Sequence, residues 1–227
     1  MPIYIDNDVN VYTLAELEYG YGRDLNNFIL VISGVGIGAG FVFNKQIYRG
    51  EFGGAGEVGH MVIYPNGNNC CCGRRGCLEA HAGEKFIIEE TKRLLSYEKD
   101  SPLYEDRFSL TIERVLAAAQ QGDYCARNAF STAGRNLGIG LVNLINTVNP
   151  AAIILSGENL RGKDYMLPGI NEVIDENFFS RYCTAFDLKI SELGDDAWER
   201  GAATLVINEQ FQAPIHRKER TVLTSAY

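Results

Sequence analysis

The chain has 227 residues, long enough for one full domain and part of another. Hydrophobic residues make up 46% and charged residues 22%, which excludes a long disordered or low-complexity protein and fits an ordinary globular one. The net charge is −8, and the only basic run, His216-Arg217-Lys218-Glu219-Arg220, is short and interrupted, which argues against nucleic-acid binding by this chain itself.

In chain order, Ile3-Tyr4-Ile5 reads as a short strand that stops at the capping residues Asp6-Asn7-Asp8. Val9 to Tyr19 has helical spacing and ends at Gly20 and Gly22. Phe28 to Ser33 is a buried strand, followed by glycines at 34, 36, 38 and 40. Phe41-Val42-Phe43, a turn at Asn44-Lys45 and the return strand Gln46 to Arg49 complete an antiparallel meander. A glycine-rich loop from Gly50 to Gly76 is expected to carry function. Helices are predicted over Ala82 to Ser96, Ile112 to Gln121 and Tyr124 to Asn146. Gly134, Gly138 and Gly140 in the last of these imply close packing against a neighbour. Ala152 to Ser156 is a strand, Tyr165 to Asn177 a helix, Phe186 to Ile190 a strand and Ala197 to Glu209 the closing helix. The pattern is an α/β lobe with helices against a mixed sheet. The strand at Ile3 to Ile5 has no partner nearby in sequence, so its sheet is expected in a segment preceding this chain.

The N-terminus has no basic run followed by an apolar one, and no apolar run approaches the ~20 residues of a membrane helix. The expected location is cytoplasmic, with no membrane partner. Besides Cys125 and Cys183, four cysteines fall at positions 70, 71, 72 and 77. In a reducing compartment such clustering reads as a metal site rather than a disulfide framework. His60, Cys70, Cys72 and Cys77 make a Cys3His set, a donor group suited to tetrahedral zinc with a structural role. Cys71 lies between two ligands and is expected to point away. A sugar hydroxyl both donates and accepts, so sugar sites use carboxylates, amides and imidazoles. Asn7, Asp8, Glu57, His60 and Glu79 offer that set, and two of the carboxylates stand three and two residues from metal ligands. Asn7 and Asp8 also read as helix caps, and Glu57 and Glu79 as solvated charges.

Gly56-Glu57-Val58-Gly59-His60, followed by Cys70-Cys71-Cys72-Gly73-Arg74-Arg75-Gly76-Cys77-Leu78-Glu79, closely resembles the signature of the ROK family of bacterial repressors and sugar kinases. Asn7-Asp8-x-Asn10 matches a second family motif, and the resemblance runs through Gly201-Ala202-Ala203. It implies the actin-like ATPase (ribonuclease-H-like) fold, mainly its C-terminal lobe, with a structural zinc loop. Residues 1–22 would then end the N-terminal lobe and its hinge, 23–213 would form the sugar-binding lobe and 214–227 a tail. The helix at 197–209 would return toward the N-terminal lobe. The resemblance also implies sugar contacts from Asn7, Asp8, Glu57, His60 and Glu79, with Asp8 as general base in kinase members, and an oligomeric assembly. Asp8 opens a helix, where the dipole favours a negative charge.

Nucleotide binding is the weaker expectation. Gly34, Gly36 and Gly38 after a strand, with Gly157 after a later one, could bring backbone N–H groups to a phosphate or serve a tight bend. Family kinases carry Gly-Thr-Gly where this chain has Val35, and a double glycine where it has Gly157-Glu158. Their Asp-x-Gly-Gly-Thr turn does not occur in the sequence, nor does the repressors' helix-turn-helix. The chain is therefore expected to be part of a longer protein. The favoured reading is the effector domain of a sugar-responsive repressor; the alternative is a hexose kinase using ATP and Mg²⁺.

Overall fold

A computed structural model describes residues 3–177, 179, 186–194 and 196–211. Five strands form one mixed sheet: β1 (Phe28–Ser33), β2 (Ile37–Phe43), β3 (Gln46–Tyr48), β4 (Ala152–Ser156) and β5 (Asp187–Ile190), in the order β3-β2-β1-β4-β5. The meander β1-β2-β3 is antiparallel. Asn44 and Lys45 turn it with φ of 51° and 61°, the twist that a two-residue hairpin favours. β4 runs parallel to β1, with Leu30 opposite Ile154, and β5 runs parallel to β4.

Because side chains alternate along a strand, the central strands bury both faces. Ile29, Val31, Ile153 and Leu155 face the larger core, under α3 (Glu84–Leu95), α4 (Ile112–Gln120), α5 (Tyr124–Val148) and α6 (Lys163–Asn177). Phe28, Leu30, Val42 and Ile154 face the smaller core, under α1 (Asp8–Tyr19) and α7 (Ala197–Gln210). The helical glycines act as expected: a Cβ on Gly134 would lie 2.3 Å from Met166 O and one on Gly138 3.1 Å from Ile170 O, so α6 rests directly on the α5 backbone.

Ile3 to Ile5, whose sheet is expected in a preceding segment, pairs with no described strand, and Ile3 and Ile5 are 83% and 91% exposed. Two expectations are corrected. The helix expected from Ala82 is divided at Gly83 into α2 (Glu79–Ala82) and α3, because Gly83 is extended, with ψ 171°. β2 starts at Ile37, so Gly38 and Gly40 are ladder residues rather than part of a turn. The tail at 214–227, including His216, and Cys183 lie outside the described residues.

Candidate functional site

The loop after β3 folds back on β2 and is pinned there by backbone bonds. Ala39 N donates to Gly56 O at 2.8 Å, and a Cβ on Gly59 would lie 2.2 Å from Ile37 O. A short 3-10 turn, Val58–His60, then presents His60. Further on, Cys70 N donates to Arg74 O, Gly76 N to Asn68 O and Leu78 N to Met61 O, each at 2.8 Å. Gly76 takes a φ of +78°, and a Cβ there would lie 1.6 Å from Tyr64 O, so only glycine closes this turn. The donor atoms of His60, Cys70, Cys72 and Cys77 all lie within 4.8 Å of one another, and the group could hold a metal ion.

Distances within the group suit a tetrahedral ion. His60 Nδ1 is 3.5 Å from Cys70 Sγ, and Cys72 Sγ is 3.7 Å from Cys77 Sγ. Ligands at zinc bond lengths would stand about 3.6–3.8 Å apart. The thiols are spread in acidity: the Arg74 backbone N–H and guanidinium bring Cys72 down to about 6, while burial and then its neighbouring sulfurs push Cys77 up to about 12. Anionic sulfurs this close disfavour one another, and a cation relieves that conflict. His81, by contrast, is buried beside Tyr64 and accepts a bond from Asn68 N at 3.0 Å, so it serves packing.

His60 uses its two nitrogens differently. Nδ1 faces the thiols, and Nε2 lies 4.0 Å from Glu57 Oε2. Glu79 opens α2, and its Oε2 accepts a bond from Ile37 N at 3.3 Å. Cys71 is not one of the four donors: its Sγ lies 3.9 Å from Cys70 Sγ and 3.2 Å from Glu79 Oε1. Asn7 caps α1, accepting from Val9 N at 2.9 Å and Asn10 N at 3.4 Å, and Asp8 follows with its side chain exposed. Val9 packs on Gly38, where a Cβ would lie 2.9 Å from its Cγ2. The first two residues of β2 are therefore the common support: Val9 rests on Gly38, Gly59 on Ile37, and Glu79 accepts from Ile37 N.

The glycine turn after β1 is occupied differently. Gly34 N bonds Gly36 O at 2.9 Å, and Gly34 O accepts from Glu84 N and Asn159 Nδ2. The open face of Gly34 holds the Glu158 carboxylate: a Cβ there would lie 2.2 Å from Glu158 Oε2. Glu84 is raised above the ordinary carboxylate range, first by burial and then by Glu113 and Glu158. Gly157, with φ +106°, lies against Ser33 O. Beyond it, at the carboxyl ends of β4 and β5, is a cleft of about 360 Å³ lined by Tyr12, Glu158, Arg161, Lys163, Ser191 and Trp198, among others. Ser156 donates to the Tyr12 hydroxyl at 2.8 Å, and Ser191 donates to Glu16, a buried acid whose pKa burial raises.

The sequence reading missed Asp6, Arg49, Tyr12, Glu16, Ser191, Glu158's position and Cys71's contact. Asp6 accepts from Arg49 Nε at 2.9 Å and Nη2 at 2.5 Å and from Asn10 Nδ2 at 3.0 Å. Most of these pairings join residues more than forty positions apart, and no local pattern announces them. None of the described helices is long and apolar enough to cross a membrane.

Comparison with known proteins gives the same outline. The ROK family model matches residues 1–209. The xylose repressor of Bacillus subtilis is 33% identical over 208 residues, covering 92% of this chain and 51% of its own length. Among solved structures, a ROK-family glucokinase from Streptomyces griseus, in complex with glucose and AMPPNP, superposes with a TM-score of 0.81 at 27% identity, over 90% of this chain and 68% of its own. A ROK-family transcriptional regulator, a homologue of the E. coli MLC protein, gives 0.81 at 32% identity, over 90% of this chain and 52% of its own. The chain thus spans about half the length of the curated repressor it matches.

Proposed function

Because this chain belongs to the ROK family, we propose that it is the sugar-binding effector portion of a sugar-responsive transcriptional regulator, acting in the cytoplasm. In this reading it is chiefly the C-terminal lobe of an actin-like ATPase fold, with residues 1–22 as the end of the other lobe and its hinge, and DNA is bound by a further segment of a longer protein. Asn7, Asp8, Glu57, His60 through Nε2 and Glu79 contact the sugar hydroxyls. His60, Cys70, Cys72 and Cys77 hold zinc, whose four filled positions leave no room for a reactive water. Zinc supplies order: it fixes the turn that carries Glu57 and the start of α2 that carries Glu79. Sugar binding shifts a conformational equilibrium that the DNA-binding segment reads.

The observation that carries the choice of regulator over kinase is the Glu158 carboxylate on Gly34. A triphosphate needs backbone N–H groups and positive charge at such a turn. This one presents its own carboxylate, with Glu84 close by, which opposes a triphosphate at the turn. The kinase reading keeps two supports: the likeness to the Streptomyces griseus glucokinase, as high in TM-score as that to the regulator, and Asp8, which is exposed at a helix start where it could serve as general base for a hydroxyl.

The test is calorimetric titration of the zinc-loaded chain with D-xylose, D-glucose and N-acetylglucosamine, with and without ATP–Mg²⁺. One sugar is expected to bind, indifferent to ATP, with binding lost in Glu57→Ala. Formation of a sugar phosphate would overturn the regulator in favour of the kinase. Absence of binding to all three sugars would overturn the sugar site in this chain.

A further inference from the structure

We propose that Cys70, Cys71 and Glu79 form a second, weaker site for a thiophilic divalent cation, which shares the Cys70 sulfur with the first and competes with sugar for Glu79. The competition, though not the site itself, rests on the sugar-binding reading given above.

The geometry is that of a site with one position open. Cys70 Sγ and Cys71 Sγ are 3.9 Å apart, Cys71 Sγ is 3.2 Å from Glu79 Oε1, and Cys70 Sγ is 4.0 Å from the same oxygen. A tetrahedral zinc ion would hold two sulfurs about 3.8 Å apart and a sulfur and an oxygen about 3.5 Å apart. The three donors lie within 4.8 Å of one another, as do those of the first group, and only Cys70 belongs to both. A thiolate has lone pairs for two cations, so Cys70 can bridge. Cys71 is exposed, and the donors open on a cleft of about 420 Å³ lined also by Asn68, Lys85 and Phe86, which leaves the fourth position to water.

The two groups differ in how they are held. Cys77 in the first is fully buried, and its four donors come from a loop pinned by backbone bonds. The second has two protein donors of its own, one of them an exposed thiol that must release its proton to water on binding. Its affinity should therefore be lower, so that it fills only when the first is full. Once filled, it draws Glu79 Oε1 to the cation and away from a sugar hydroxyl. The chain would then sense two chemistries at one carboxylate, with excess metal opposing sugar.

Native mass spectrometry of the full chain, titrated with zinc at chelator-buffered concentrations, tests the site. Wild type should take up two zinc ions in separate steps, and Cys71→Ser only the first, whose retention also shows that the loop is folded. Uptake of a single ion by wild type, or of two by the serine variant, would overturn the proposal. Cobalt(II) gives an independent readout: the second equivalent should add sulfur-to-metal charge-transfer absorption in wild type and none in Cys71→Ser. Under the same two zinc regimes, the affinity for whichever of the three test sugars binds should fall at least fivefold in wild type and stay constant in the variant. An unchanged affinity in doubly loaded wild type would overturn the competition. If no sugar binds at all, the proposed function fails while the ion count still decides the metal site.

Discussion

In the metal loop, four side chains aim their donor atoms at one another, with sulfurs as close as 3.7 Å and one thiol pushed up to about 12 while its neighbour falls to about 6. At the glycine turn after β1, the protein has already supplied the partners. Gly34 O takes two N–H donors, and a carboxylate lies on the face that glycine leaves open. The first arrangement is poorly satisfied by protein alone and calls for a cation. The second is filled by protein and has little to offer an anion. A cluster of metal-ligating donors crowded at close range is thus a better sign of a ligand than a run of glycines.

The largest effect that would sharpen this contrast comes from removing a buried donor. Cys77→Ser should lose the first zinc and, with it, the order of the loop from Glu57 to Glu79. Structural zinc sites are coupled to folding by several kcal/mol or more, so a marked fall in melting temperature is expected. A chelator should reproduce the fall in wild type and add nothing in the variant. Equal melting of wild type with and without chelator would mean that the four donors need no ion.

Next in size is the carboxylate at the glycine turn. Two charges 4 Å apart near a protein surface interact by about 4 kcal/mol. Glu158→Gly should therefore raise affinity for AMPPNP, in the presence of Mg²⁺, by at least tenfold, read by calorimetry, without altering zinc content. Wild type and variant binding the analogue equally well would show that Glu158 does not guard the turn, and would reopen the kinase reading.

The metal loop was legible because its ligands crowd into eighteen positions, and the spacing of cysteine and glycine leaves few ways to arrange them. The sheet was legible as well: Phe28 to Ser33 and Ala152 to Ser156 are buried apolar runs of strand length, and the Asn44-Lys45 turn marks the hairpin. The glycine turn was only half legible. Sequence shows glycines at 34, 36 and 38, but not that Gly38 is paired opposite Ile32 or that a residue 124 positions away lies on Gly34. Ile3 to Ile5 shows the same dependence, since β propensity makes a strand only where another strand offers its edge, and no described strand offers one here. Cys71 shows the limit within the motif: spacing excluded it from the first group but could not reveal that it meets Glu79.

The smallest effect concerns the two acids that flank Asn7. Asp8 is exposed in the first turn of α1, while Asp6 is nearly buried and tied to Arg49, a residue of the hairpin side of the sheet. Burial alone would raise the Asp6 pKa, but the Arg49 and Asn10 bonds outweigh it and hold the carboxyl below its ordinary value. The ionised form is thus favoured by the fold, and the pair contributes stability above the unfolded value, near 3.9, that is lost as pH falls through the folded one. Arg49→Ala should cost about 1 kcal/mol at pH 7, because the pair is partly exposed. The gap between wild type and variant in urea midpoint should shrink as pH drops below about 4. A gap that stays constant with pH would mean that Arg49 acts by packing alone. Because the same clamp sets the backbone that leads into Asn7 and Asp8, the variant should also weaken sugar binding while keeping its zinc, which separates the α1 side of the site from the metal side.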